Sequence, residues 1–303
     1  MRMILVVACF FMIACTGPTK IDISRLSLEP PRASEPSKDL ARYYARLENR
    51  LILRGLLRTD GGGPDTPFND EDLFRDFQSL AFFGEYVSGQ GFKKAKAQPA
   101  KLSKWIAPVR VRILFGPSVP AETRAVDTET IETLLKRLSK ITRHPAFLVE
   151  EDSNFDVLIV NEDERYAMMA SLSSKESHIG AKSTELLKNI PKELQCVVLA
   201  YSSSPLSMQY VRALAVIRAE HPPLIKQACF HEEISQGLGL SNDSPNARPS
   251  IFNDDDEFAL LTRYDEILLS ILYDPRLKPG MTFETATPIL RQIIKERTLQ
   301  KHK

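Results

Sequence analysis

Net charge is nearly absent from this chain: 40 lysines and arginines face 39 aspartates and glutamates over 303 residues, leaving +1. So balanced a chain carries no electrostatic footprint for a polyanion, and nothing in it argues for a nucleic-acid partner. A membrane-spanning run is missing as well. The apolar stretch Ile4 to Ile13 covers about ten residues, where a spanning helix needs roughly 20. Glycine loops that cradle phosphate are absent, since Gly61 to Gly63 precede no Lys-Ser/Thr pair. No serine stands in a G-x-S-x-G turn, which removes the serine-hydrolase elbow. Of five histidines, His144, His178, His221 and His302 are scattered and form no metal-ligand spacing. No internal repeat is visible. What is present is a 43% hydrophobic composition, enough for one sizeable core with a small N-terminal extension.

The first residues read as an address rather than as fold. Arg2 precedes the Ile4–Ile13 run, which ends in Met12-Ile13-Ala14-Cys15, a sequence that resembles a bacterial lipobox. Residues 1–15 are therefore expected to be a lipoprotein signal peptide, with Cys15 lipidated and the membrane a partner through it. Thr16 rather than Asp follows the cysteine, which by resemblance to sorted lipoproteins favours the outer membrane, with the chain facing the periplasm. The polar, proline-rich stretch 16–36 reads as a disordered tether. Export also settles the cysteine arithmetic. Cys9 leaves with the signal and Cys15 carries lipid, so Cys196 and Cys229 remain, and two thiols in an oxidising compartment read as a disulfide. Closing that loop contributes roughly 3–4 kcal/mol on the chain-entropy view.

Periodicity gives the rest of the organisation. Leu40, Tyr43, Tyr44, Leu47 and Leu51 mark an amphipathic helix within 37–57, and Leu73, Phe77, Leu80 and Ala81 mark a second over about 70–87. These form an N-terminal helical extension, 37–95, ahead of a main domain, 96–300. There Val109, Val111, Ile113 and Phe115 alternate with Arg110 and Arg112, a half-buried strand. Asp127 is expected to cap a helix with Ile131, Leu134, Leu135 and Leu138 on its apolar face. Strands follow over 146–150, 156–160, 196–201 and 213–218. Helices are expected over about 224–240, 262–273 and 282–298. Ser171–Ser174 and Ser202–Ser204 read as loop clusters. The order is α+β, with a mixed sheet of about five strands.

The chemistry concentrates in Cys229-Phe230-His231-Glu232-Glu233-Ile234-Ser235-Gln236-Gly237-Leu238-Gly239-Leu240. His231-Glu232 begins like H-E-x-x-H, in which two histidines one turn apart grip zinc and the Glu activates the metal-bound water. Ser235 stands where the second histidine is required. An inserted residue, absorbed as a π-bulge, aligns Gln236 there instead, and Asp243 then offers a third ligand. His231, Gln236 and Asp243 with Glu232 as general base are thus the candidate zinc site. The competing reading makes Glu232, Glu233, Gln236, Asn242 and Asp243 a polar network with Arg110, Arg248 or Arg263 as partners. A carboxamide is a weak zinc ligand, so the expectation is no cofactor, with zinc the alternative.

The His-Glu helix ending in Leu238-Gly239-Leu240, with Ser250-Ile251-Phe252 and Leu261-Thr262-x-x-Asp265…Leu272-Tyr273 after it, resembles metzincin-type zinc proteases, Phe252 matching the Met of their turn. More closely, residues about 68–295 resemble a proteobacterial lipoprotein family known as DUF2927. The match is carried by Trp105-Ile-Ala-Pro108-Val-Arg110-Val, Glu232-Glu233-x-x-Gln236-x-Leu238-Gly239-Leu240, Asn242-Asp243, Ser250-Ile-Phe-Asn253-Asp254, Leu272-Tyr-Asp-Pro-Arg-Leu277 and Pro279-Gly-Met281. The resemblance implies export and a zincin-like fold, and supplies no catalytic assignment. The expected role is binding of an envelope protein or peptide in a degenerate protease cleft, along the sheet edge beside the His-Glu helix. The alternative is a divergent zinc peptidase.

Overall fold

The computed structural model describes residues 33–84, 92, 98–175, 181–204, 206–253 and 255–301. The expected signal peptide, Cys15 and nearly all of the tether lie outside the described residues. Residues 31–303 form one compact unit.

Six strands make one sheet: β1 (Lys104–Trp105), β2 (Val109–Phe115), β3 (Ala146–Leu148), β4 (Phe155–Val160), β5 (Cys196–Ser202) and β6 (Gln209–Arg218). The long path runs β3-β2-β4-β6, all parallel, with the two-residue β1 added to the start of β6. β5 lies antiparallel on β6, from Cys196 opposite Ile217 to Ser202 opposite Tyr210. The sheet thus has one strand more than expected, because β1 is too short to show an alternation.

Alternate residues of each strand feed two cores. On one face Val109, Val111, Phe155, Val157, Ala215 and Ile217 pack against α2 (Asp70–Ala81), α3 (Ala121–Thr142), α6 (Pro223–Gln236), α7 (Arg263–Leu272) and α8 (Phe283–Lys301). On the other, Leu158, Val160, Val197, Leu214 and Val216 are covered by Met169 and Leu172 of α4 (Glu162–Lys175) and Leu187 of α5 (Ala181–Lys188). With helices on both faces, β4 is buried along its whole length, as a central parallel strand requires. The expected helical extension is part of this unit: Leu73, Phe77 and Leu80 of α2 lie in the main core.

Two expectations are corrected. Asp127 caps nothing. α3 begins six residues earlier behind Pro120, whose ring pre-sets φ at −60°, and the buried Asp127 carboxylate accepts from Lys226 Nζ at 2.9 Å. Ser171, Ser173 and Ser174 are in helix α4 rather than a loop, because Met169 and Leu172 on the same helix are needed to cover the second face of the sheet. Asp156 at the start of β4 is fully buried between two guanidinium groups. Arg112 grips both its oxygens at 2.9 Å, Arg212 bonds Oδ2, and Ser153 Oγ donates at 2.7 Å.

Candidate functional site

α6 starts where β6 turns back over the sheet, and its N-terminus lacks a capping side chain of its own because Pro222 occupies that place. The cap comes from α1 (Glu35–Leu53), whose Glu48 Oε2 accepts from Leu224 N–H at 3.0 Å and Ile225 N–H at 2.9 Å. The helix runs as regular α-helix through Gln236, with no inserted residue. Trp105 Nε1 donates to Gly237 O at 2.8 Å just beyond its end. Gly239 then passes so close to β1 that a Cβ there would sit 2.4 Å from Ser103 O, and its φ of +131° is one that side chains rarely adopt.

Ala228, Cys229, Glu232, Glu233 and Gln236 share one face of α6, at the i, i+3, i+4 spacing. That face forms one wall of a cavity of about 260 Å³. Glu193 to Val198, the start of β5 and the residues before it, form the facing wall. The Cys196–Cys229 disulfide joins the two walls, Cα to Cα 5.9 Å, as the cysteine count requires. Asp243, Asn253 and Asp256 close the end. The lining therefore holds five carboxylates, on Glu193, Glu232, Glu233, Asp243 and Asp256, and among the described residues no lysine, arginine or histidine. Carboxamides aim two of the acids: Gln236 Nε2 donates to Asp243 Oδ1 at 2.8 Å, and Gln195 Nε2 to Asp256 Oδ1 at 3.3 Å. Carboxylate oxygens of Glu232 and Glu233 and the sulfur of Cys196 all lie within 4.8 Å of one another.

Of the residues nominated for zinc, Gln236 and Asp243 meet in this cavity and Glu232 lines it, but His231 does not. A residue is rotated by about 100° from its helical neighbour, which turns His231 away from the face that Glu232 and Gln236 share. Its Nδ1 accepts from Leu261 N–H at 2.9 Å in a site 9% exposed. Burial, reinforced by the Arg137 charge, pushes its pKa down to about 4. Asn242 faces away as well, donating from Nδ2 to Ser79 O at 2.8 Å and so tying the loop after α6 to α2. The candidate arginines are committed elsewhere: Arg110 to Asp152 O, Arg248 to Glu257 and Arg263 to Glu266. Phe252 is fully buried, its N–H bonded to Ser250 Oγ. Sequence reasoning missed Glu193, Gln195 and Asp256, which reach the cavity from loops. The wheel position of Cys229 was the available signal, since a cysteine bonded to β5 fixes which face of α6 looks at the sheet edge.

The profile of a family described as "Protein of unknown function (DUF2927)" matches residues 70–292. The chain belongs to that family. The DUF2927 match opens on α2 and closes inside α8, so it takes in the whole sheet and every cavity residue named above, and leaves α1 outside. No curated protein and no solved structure matches the chain.

Proposed function

We propose that this chain is a binding module of the cell envelope, held at the membrane through Cys15, that takes an extended, basic polypeptide segment in the acidic cleft between β5 and α6. The carrying observation is the cleft itself: five carboxylates and no cationic side chain among the described lining residues, beside a strand that, among the described residues, pairs on one side only. An unpaired strand edge offers a row of backbone donors and acceptors to an incoming chain. A lysine or arginine on that chain then meets carboxylates in a partly desolvated pocket, where a charged pair is worth more than at the surface.

The domain is read as zincin-like from the order of its elements, with an antiparallel outer strand facing the helix that follows β6, and from Leu238-Gly239-Leu240 at that helix's end. The cavity face supports a motif register one residue further on than His231-Glu232. Glu232, Gln236 and Asn242 then stand where the protease has histidines, and Glu233 where it has its general base. A carboxylate and two carboxamides do not fit a catalytic zinc centre, which draws on imidazole nitrogens. The reading therefore routes no step through a metal.

The test is fluorescence anisotropy on the full-length chain with a labelled octapeptide carrying a central arginine, against the same peptide with citrulline. Arginine should bind at least tenfold tighter, about 1.4 kcal/mol, and Glu232→Gln with Glu233→Gln should erase the difference. Equal affinity for both peptides would refute the reading. Chelator-sensitive cleavage of the peptide would favour the divergent zinc peptidase.

A further inference from the structure

The groups at the disulfide end of the cleft are chemically unlike the rest of it. Cys229 precedes Glu232 by three residues and Glu233 by four, so the three residues lie on one face of the helix. Cys196, the first residue of β5, adds a second sulfur within 4.8 Å of an oxygen on each glutamate. Bonded to each other, the sulfurs are neutral and weak as ligands. Separated and ionised, they are the ligands zinc prefers, and two thiolates with two carboxylates make a four-donor set for a tetrahedral ion. The Cα atoms, 5.9 Å apart, stand close enough for both sulfurs to reach one ion at roughly 2.3 Å by side-chain rotation.

We propose that reduction of Cys196–Cys229 turns this end of the cleft into a zinc(II) site with Cys196, Cys229, Glu232 and Glu233 as ligands, so that the domain takes a thiophilic divalent metal in its reduced state only. A dithiol reductant supplies two electrons and two protons and leaves as its own disulfide. The S–S bond breaks to two thiols. Zinc then displaces both thiol protons to solvent as two Zn–S bonds form. The site uses the carboxylates that a basic peptide would contact, so metal and peptide exclude each other. The metal site itself does not depend on the peptide reading.

Cobalt(II) titration of the full-length chain tests this, under anaerobic conditions, before and after reduction and removal of the reductant. One equivalent should bind to the reduced chain, with a sulfur-to-cobalt band in the near ultraviolet and the intense visible bands of tetrahedral coordination, and zinc should displace it. The oxidised chain should bind at least a hundredfold more weakly. Cys196→Ser with Cys229→Ser should abolish binding. Glu232→Gln with Glu233→Gln should weaken it at least tenfold and shift the visible bands, which a site made of the thiols alone would not do. Equal binding by oxidised and reduced chains, indifference to the glutamate pair, or no binding at all would overturn the proposal. Circular dichroism runs alongside. A reduced chain that unfolds and regains its structure on adding zinc supports the site, and one that stays unfolded with zinc overturns it.

Discussion

His231 separates the two readings of the His-Glu helix most sharply, because a metal ligand and a buried acceptor titrate differently. In the folded chain its Nδ1 takes the Leu261 N–H and burial holds its pKa near about 4, whereas an unfolded histidine titrates near roughly 6.5. A folded pKa below the unfolded one means that the unfolded chain binds the proton first as pH falls. The stabilisation is therefore complete above pH of about 6.5, is lost progressively down to about 4, and is constant below that. The interval of about 2.5 units corresponds to about 3 kcal/mol. His221, fully encased with its Nε2–H donating to Gln195 O at 2.8 Å and its pKa pushed down to about 3, loses stability over an overlapping range, so the wild type alone does not isolate His231. His231→Asn does. It keeps an acceptor near the position of Nδ1 without a titrating group. Urea unfolding at pH 7.5 and pH 5.0 should bring wild type and His231→Asn about 2 kcal/mol closer together at the lower pH, as the wild type loses its advantage. His231→Ala, which strands the Leu261 N–H, should cost about 1–3 kcal/mol beyond the lost packing at neutral pH. A wild-type-minus-Asn difference that does not move with pH, or a His231 titration observed by NMR at 6 or above, would refute the account.

Two further outcomes follow from the packing. Asp156→Asn removes a carboxylate that the half-buried Arg112 and the buried Arg212 share on the second face of the sheet, and the loss of that buried charge should cost about 3–5 kcal/mol in urea unfolding; a loss below about 1 kcal/mol would mean that other groups satisfy the arginines. Gly239→Ala puts a methyl group against Ser103 O and forces a side chain into φ +131°, so thermal unfolding should show a loss of about 2–4 kcal/mol, while Gly61→Ala, with open space around it, should lose only its backbone share.

Legibility in the sequence followed the strength of local pattern. Val109-x-Val111-x-Ile113 announces β2 because one face of an early strand must be apolar, and the unbroken Val157-Leu158-Ile159-Val160 announces a strand covered on both faces. The helix expected over about 262–273 starts at Thr262 because of a capping box, a local exchange of hydrogen bonds, here Asp265 N–H to Thr262 Oγ1 and Thr262 N–H to Asp265 Oδ2. α4 and α5 were missed because each spends only one or two large apolar side chains on the sheet, too few for a period to emerge. The candidate site was half legible. Its helix, its disulfide and the Gln236–Asp243 pair stand in the sequence, but the His-Glu dipeptide drew attention to His231, which does not line the cavity. Which side of a helix faces a cleft is decided by what packs behind it, and here the Leu261 N–H claims the imidazole.

The contact between Glu48 and the start of α6 has a consequence for where this fold can be cut. Residues 70–292 carry the family's pattern, yet the two amide groups opening its central helix are answered by an acid that lies more than twenty positions upstream of that span. Tyr44 of the same segment sits edge-on against His221, 4.2 Å between ring centres, on the turn leading into that helix. An expression boundary drawn from the family alignment would amputate both, and the fragment would reach the bench with its cleft helix unanchored at the end nearest the sheet.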